Sequence, residues 1–220
     1  MVNIRFAAWF VLFGCPAALA AGGSYLVDDA EATPEGACQV ETWVRGFSGG
    51  ADELSTTPAC TRNGIEYSLT ATRVAGDAQN ATAFAPGLKW VTGDVAKHRW
   101  AIGLAATTSI IDGVVDNTFI YVPISAALDS DAKFFVHANI GYRHDHSGGD
   151  AAVTGLGIDW AVSDKLDALA EVLRVDARDR TSQAGVRWSE SERLSVDLIY
   201  GHRRYAHVDT WWTLGVNLVL

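Results

Sequence analysis

From Cys38 onward, apolar and polar residues alternate along the chain in stretches of about ten residues. Successive side chains of a strand point to opposite faces, so this period of two indicates strands with one apolar face. The clearest examples are WAIGLAATTS, FFVHANIGY, VTGLGIDWAV and the final TWWTLGVNLVL. Turn residues separate twelve such stretches, at 38–48, 52–61, 65–75, 81–91, 97–108, 118–128, 133–143, 151–162, 166–175, 181–189, 193–202 and 210–220.

Two kinds of connection alternate between these stretches. One kind is a tight turn, such as RNG, DSDA or SESE, and the other is longer, such as IIDGVVDN, HDHSGGD or HRRYAHVD. No helical period interrupts the pattern, which disfavours a parallel sheet with crossover helices. The sequence therefore predicts an all-β fold, an antiparallel up-and-down transmembrane β-barrel of the Gram-negative outer membrane. We expect twelve strands, with ten or fourteen as the alternatives.

Aromatic residues lie near both ends of the apolar faces, around an aliphatic band. Two aromatic girdles are typical of two lipid–water interfaces, whereas a soluble sandwich more often places its rings in mid-strand. The girdle near the short turns contains Trp90, Trp100, Phe134, Trp160 and Trp188, and the girdle near the longer loops contains Tyr142, Tyr200 and Trp212. The band between them contains Leu104, Ile140, Ile158, Val186, Val196 and Leu214.

The first twenty residues predict export. A basic start is followed by the apolar run Phe6–Phe13, which is too short to cross a membrane as a helix, and then by the small residues Ala18–Ala20. This arrangement is typical of a signal peptide, which we place at residues 1–20. A lipoprotein signal is the alternative, because Gly14 precedes Cys15.

After the signal peptide, residues 21–37 form an acidic, turn-rich stretch, which we interpret as a periplasmic segment and a candidate plug. Residues 38–220 then form the barrel. The whole chain has a net charge of −9, and residues 1–20 contain one Arg and no acid, so the mature chain carries −10. Such acidity disfavours nucleic acid as a partner.

Cleavage of the signal peptide leaves two cysteines, Cys38 and Cys60, in an oxidising compartment. If the first two strands turn around Gly49–Gly50, residues whose numbers sum to about 98 face each other. The two cysteines then meet at the periplasmic end, provided that the second strand keeps its register past Pro58. We expect a disulfide, and we expect no metal or cofactor, because the histidines show no ligand spacing.

The N-terminal part YLVDDAEATPEGACQVETWVR resembles the mature start of uncharacterised small outer-membrane barrels of proteobacteria. Their chains also run from an acidic segment into a first strand that contains a cysteine. More loosely, the chain is similar to the transporter-like barrels associated with aromatic-degradation pathways. The resemblance implies the fold and the outer-membrane location, and no motif in it implies an activity.

The face opposite the apolar one carries charged residues that we predict to line the lumen. Two interpretations stay open: the charges pair across the lumen, or they form a charged constriction that selects solutes. The predicted lumen residues are Glu41, Arg45, Glu66, Lys89, Arg99, His137, Arg143, Asp159, Glu171, Arg187 and Asp197.

Catalysis is disfavoured, although the stretch RHDHSGGD invites comparison with outer-membrane lipid hydrolases, which carry His-x-Ser-Asn. Here Ser147 directly follows His146, and Gly148 stands where Asn is expected. Neighbouring residues of a strand point to opposite faces, so this pair cannot share a proton. We therefore predict no catalytic residues and no enzyme.

The sequence thus predicts a narrow channel for the passive passage of small polar solutes. A closed barrel with a structural or interaction role is the alternative, and a lipid hydrolase is less favoured. The expected partners are outer-membrane lipid, lipopolysaccharide, a small polar solute and the barrel-assembly machinery, which would recognise the C-terminal strand. That strand ends on Leu220 where the usual signal has Phe or Trp. Both termini are expected in the periplasm.

Overall fold

The structure is a computed structural model that describes residues 24–76, 80–176, 179–204 and 208–220. The predicted signal peptide lies outside these residues. The described chain forms twelve strands and one helical turn: β1 (Cys38–Phe47), β2 (Asp52–Arg62), β3 (Ile65–Ala75), β4 (Asn80–Asp94), α1 (Val95–His98), β5 (Trp100–Ile111), β6 (Val114–Ala127), β7 (Phe134–Asp145), β8 (Gly149–Ser163), β9 (Leu166–Val175), β10 (Asp179–Ser191), β11 (Leu194–Arg204) and β12 (Val208–Val219).

Each strand pairs antiparallel with its neighbours in the sequence, and β1 pairs with β12 to close the sheet into a barrel. The closing register runs from Gln39 opposite Val219 to Phe47 opposite Trp211. A closed sheet has no unpaired edge, so its backbone groups are satisfied as a lipid environment requires. The predicted twelve-stranded antiparallel barrel is confirmed. No helix in the described ranges is long and apolar enough to cross a membrane.

We call the end where β1 begins and β12 ends the base, and the opposite end the rim. The predicted contrast between short and longer connections is wrong. The rim connections that the structure describes in full are short, at 48–51, 112–113 and 146–148, whereas 77–79, 177–178 and 205–207, within the predicted loop HRRYAHVD, lie outside the described residues. The base connections are 63–64, 95–99, 128–133, 164–165 and 192–193, so the longest of all is at the base.

The stretch IIDGVVDN shows why the loop prediction fails. Asp112 and Gly113 form a two-residue hairpin turn, and both have a positive φ, 49° and 85°. Tight hairpin turns whose twist matches the strands need such angles. The apolar residues on either side therefore continue β5 and β6 instead of forming a loop.

The outward face of the barrel is apolar. Of the eight predicted girdle residues, seven are exposed and Phe134 is half-buried. Two more exposed aromatic residues, Tyr67 and Phe84, share this face and follow the same alternation. Across the closing strands, a run of exposed aliphatic residues lies in register: Val186, Leu198, Leu214, Val44 and Leu54.

The predicted disulfide is confirmed. Cys38 lies directly opposite Cys60 in the β1–β2 register, with their Cα atoms 4.1 Å apart, and the two form a disulfide. The β2–β3 pairing lapses around Pro58, which has no N–H to donate, and resumes at Ala59 opposite Ser68 without a shift. Register is therefore kept across the proline, as the pairing of the cysteines requires.

Replacing both cysteines with serine is expected to lower the free energy of unfolding by about 3 kcal/mol. The bridge closes a loop with a sequence separation of 22, and the chain-entropy model gives about 3 kcal/mol for a loop near this size. Denaturant titration of the refolded protein in detergent measures the change. Reduced wild-type protein is the control and should match the variant. Equal stability of the oxidised wild type and the variant would contradict the prediction.

Candidate functional site in the barrel lumen

Residues 24–37, which we call the N-terminal segment, lead from the base into the lumen. The segment is fixed at its root by Glu35, whose carboxylate accepts the backbone N–H groups of Asn63 and Gly64, both at 2.9 Å. The N–H groups of Gly64 and Asn63 lower the pKa of the Glu35 carboxyl from its ordinary value. The root is therefore bound to the β2–β3 turn close to the disulfide.

Two wall carboxylates bind the backbone of the segment. Glu171 accepts the N–H groups of Leu26 and Val27, each at 3.1 Å. Glu66 accepts both the N–H and the hydroxyl of Thr33, each at 2.7 Å. Both acids were predicted to face the lumen, and the structure places them there. Their charge stabilises the N-terminal segment, which contains no strand, through charge-assisted hydrogen bonds.

Neutral wall residues that sequence reasoning missed also hold the segment. The Asn139 side chain donates to the carbonyl of Asp28 at 2.6 Å and accepts its N–H at 2.8 Å. Ser125 accepts the N–H of Ala30 at 2.8 Å. The available signal was weak: both residues are polar positions on the predicted inward faces of their strands. An amide that donates to and accepts from one backbone residue acts like a strand partner.

Lys89 lies at the centre of an acidic cluster. Its ammonium is 3.0 Å from an oxygen of Asp28 and 3.8 Å from oxygens of Asp29 and Glu66. The hydroxyl of Tyr121 donates to the other oxygen of Asp28 at 2.7 Å. A single, largely buried ammonium therefore links the wall to two acids of the N-terminal segment.

Arg187 and Asp197 form a buried bidentate ion pair on adjacent strands. Nε and Nη2 of the arginine donate to the two carboxylate oxygens at 2.7 and 3.0 Å. The guanidinium lies 4.5 Å from the ring centre of Tyr25, and Ser24 donates its hydroxyl to Asp197 at 3.1 Å. The start of the N-terminal segment thus packs against this ion pair through a cation–π contact and a hydrogen bond.

Two predicted arginines pair nearer the rim. Arg45 lies 3.2 Å from Glu53 and also packs over the ring of Trp211. Arg143 donates to Asp145 at 2.8 Å. These pairs join residues close in sequence and do not reach across the lumen.

His137 connects two further wall residues. Its Nδ1 lies 2.8 Å from the hydroxyl of Ser125, and its Nε2 lies 3.5 Å from Asp159. The structure therefore places both His137 and Asp159 inside the barrel, on β7 and β8.

The prediction that Arg99 lines the lumen is wrong. Arg99 follows α1 with a φ of +66° and is exposed at the base, where its guanidinium donates to the carbonyls of Ala127 and Asp129. Strand β5 begins one residue later because Asp94 caps a helical turn by accepting the N–H of Lys97 at 3.1 Å.

A cavity of about 250 Å³ remains beside the N-terminal segment. Glu41 lines it, is only 3% exposed, and its Oε1 atom has no hydrogen-bond partner in the part of the chain that the structure describes. Small and hydroxyl-bearing side chains of β2 to β5, the strands that follow β1, form much of its lining: Thr57, Ser68, Thr70, Ala85, Gly87 and Thr107.

A second cavity, of about 380 Å³, opens between the segment and the base turns. Its charged lining is mostly acidic, with Lys133 and His137 as the basic residues. The acids are Asp29, Glu31, Asp131, Asp159, Asp164 and Asp167.

Solved structures with a similar fold include porins. The KdgM porin aligns with a TM-score of 0.65 at 12% identity, over 82% of this chain and 98% of that chain. KdgM porin in complex with disordered oligogalacturonate gives 0.64 at 12% identity, over 82% and 98%. NanC porin, in a rhombohedral crystal form, gives 0.63 at 10% identity, over 81% and 98%. The fold is that of the porin-like outer-membrane barrels.

The sequence also matches a family model, described as Uncharacterised conserved protein UCP029691, over residues 9–220. The chain belongs to this family. No curated protein matches it significantly. The association with aromatic-degradation pathways is supported by none of these matches and stays a prediction.

Proposed function

We propose that this protein is an outer-membrane channel for small polar solutes, narrowed by its own N-terminal segment. The main observation behind the proposal is that the N-terminal segment occupies only part of the lumen. The segment is bound to wall residues such as Glu171 and Asn139, while a cavity of about 250 Å³ lined by hydroxyl groups remains beside it. A polar, hydrated lumen in a lipid-facing barrel is the arrangement of porins.

The fold neighbours support this proposal. KdgM and NanC are both described as porins, and one KdgM structure is a complex with disordered oligogalacturonate. A lumen narrowed to this extent favours solutes smaller than an oligomer. The selectivity would come from the charged groups on the wall, as in other channels.

We further propose that the base faces the periplasm. The start of β1 and the end of β12 both lie there, and the mature chain would enter the outer membrane from that side. In this orientation the short rim turns face the exterior and contact lipopolysaccharide, and the apolar outer face contacts lipid. The pairing of β12 with β1 is the closing step that the assembly machinery would complete after recognising the C-terminal strand.

A closed barrel without conductance is the second candidate. It is favoured by the number of backbone N–H groups of the segment that bind to the wall. The backbone N–H groups of Leu26, Val27, Asp28, Ala30 and Thr33 all donate to wall side chains. A segment held this firmly could serve as a permanent filling of the lumen.

Conductance in planar bilayers tests the proposal. The refolded mature protein is expected to give small, stepwise, salt-dependent currents. A variant that lacks residues 24–35 is expected to give currents several times larger, because the segment no longer narrows the lumen. The control is the heat-dependent gel shift of folded barrels, which must be equal for both proteins.

Three results would contradict the channel. Silence of both folded proteins supports the closed structural barrel. Current from the deletion variant alone identifies the segment as a complete plug. Release of fatty acid from the bilayer lipid would instead support a lipid hydrolase.

A further inference from the structure

Glu41 is an exception among the lumen acids. Glu66, Glu171 and Asp197 each accept hydrogen bonds, whereas Oε1 of Glu41 is buried and has no partner within the described ranges. A buried carboxylate that lacks a donor or a cation is strongly disfavoured. Glu41 also lines a cavity, so a solute bound there lies beside this carboxylate.

The charge of this cavity selects the kind of solute. Its lining contains three carboxylates, from Asp28, Glu41 and Glu66, and one ammonium, from Lys89, which gives a net charge of −2. Lys89 is already in contact with Asp28 and Glu66. Lys89 offsets only part of the charge of these acids, and no cation contacts Glu41 within the described ranges, so a bound cation would supply the positive charge that a buried carboxylate needs.

Aromatic rings line the same cavity, and they favour an organic cation. Tyr25, Trp43, Phe119 and Tyr121 all contribute to the lining. Aromatic faces attract ammonium groups, and quaternary ammonium ligands are often held by several rings together. A space of about 250 Å³ suits a small solute of this kind.

The second cavity, on the base side, also favours cations. Its lining contains six acids, against Lys133 and His137. An acidic mouth raises the local concentration of cations and lowers that of anions. A solute that enters from either side of the N-terminal segment therefore meets a cation-favouring field.

We propose that the cavity beside the N-terminal segment binds a small organic cation, and that the carboxylate of Glu41 is its anionic ligand. The inference rests on the proposed channel and names the class of solute that it carries. The carboxylate of Glu41 accepts hydrogen bonds from an ammonium group or forms an ion pair with a quaternary one. The aromatic rings surround the apolar part of the solute.

Calorimetric titration of the full mature protein in detergent with choline chloride tests the site. The wild type is expected to bind choline more tightly than glucose or sodium acetate. Glu41→Gln is expected to weaken choline binding about tenfold or more, since it removes a charged partner in a buried site. Glu41→Asp, which keeps the charge, should retain part of the affinity and shows that the charge is the cause.

Glu190→Gln is the matched control, because it makes the same change at an acid remote from the cavity. Glu190 is exposed, pairs with Lys165 and does not line either cavity. The choline affinity of this variant should equal that of the wild type. Equal weakening by Glu190→Gln and Glu41→Gln, or no choline binding by folded wild type, would overturn the site.

Reversal potential in a potassium chloride gradient separates this inference from the proposed channel. The wild type should be cation-selective, and Glu41→Gln should be less so. Choline binding without any current would support the site and overturn the channel. Currents whose selectivity is unchanged by Glu41→Gln would support the channel and overturn the role of Glu41.

Discussion

Replacing Arg187 with methionine is expected to lower the free energy of unfolding by about 3–5 kcal/mol. Asp197 is fully buried, and its two oxygens accept both guanidinium donors. Removing the arginine leaves an uncompensated charge inside the barrel and takes away the cation over which Tyr25 packs. The measurement is a denaturant titration of refolded protein, followed by tryptophan fluorescence.

Two further variants separate the cost of leaving a buried charge unpaired from the cost of losing an ion pair at the surface. The double variant Arg187→Met with Asp197→Leu removes both charges, so it should cost less than the sum of the single changes. Lys165→Ala breaks an exposed pair with Glu190, whose side chains are 56% and 51% exposed, and should cost less than about 1 kcal/mol. A cost for Arg187→Met as small as that for Lys165→Ala would show that the pair is hydrated and contributes little.

Replacing Val186 with arginine is expected to destabilise the barrel by about 2–4 kcal/mol, the cost of a charge at the lipid midplane. Val186 faces outward on β10 and lies opposite Leu198 and Ala168, so no polar neighbour on these strands would shield the charge. Folding titrations into lipid vesicles give the change directly.

The same substitution at Val114 is the control. Val114 is the first residue of β6, next to the rim turn, and is 70% exposed. An arginine there reaches the interface and should cost at most about 1 kcal/mol. Equal and small costs at both positions would mean that the outer face does not meet lipid.

Much of the wall could be predicted because strand patterns are local. The alternation around WAIGLAATTS and TWWTLGVNLVL needs only the period of two that pleating imposes. The disulfide followed from the register of a single hairpin, between Cys38 and Cys60. Connections were harder to predict, because Asp112 and Gly113 form a complete turn inside an apolar stretch and Asp94 caps a helical turn where a simple connection was expected.

The partners of the lumen residues could not be predicted in the same way. Of the eleven predicted lumen residues, Arg99 alone lies outside the barrel, because one helical turn delays the start of β5. Glu66 and Glu171 face inward as predicted, yet their partners are Thr33 and Val27, which lie in a segment without strand pattern.

The sequence by itself determined the wall of this protein: twelve strands, their inward and outward faces, and the bridge between the first two. These features depend on neighbours in one strand or one hairpin. Only the tertiary structure decided what fills the lumen. Leu26 and Glu171 are separated by 145 positions, and Ser24 and Asp197 by 173. Such contacts exist because closure of the sheet brings distant strands around the N-terminal segment, and no local pattern encodes them. The same closure left Oε1 of Glu41 without a partner among the described residues.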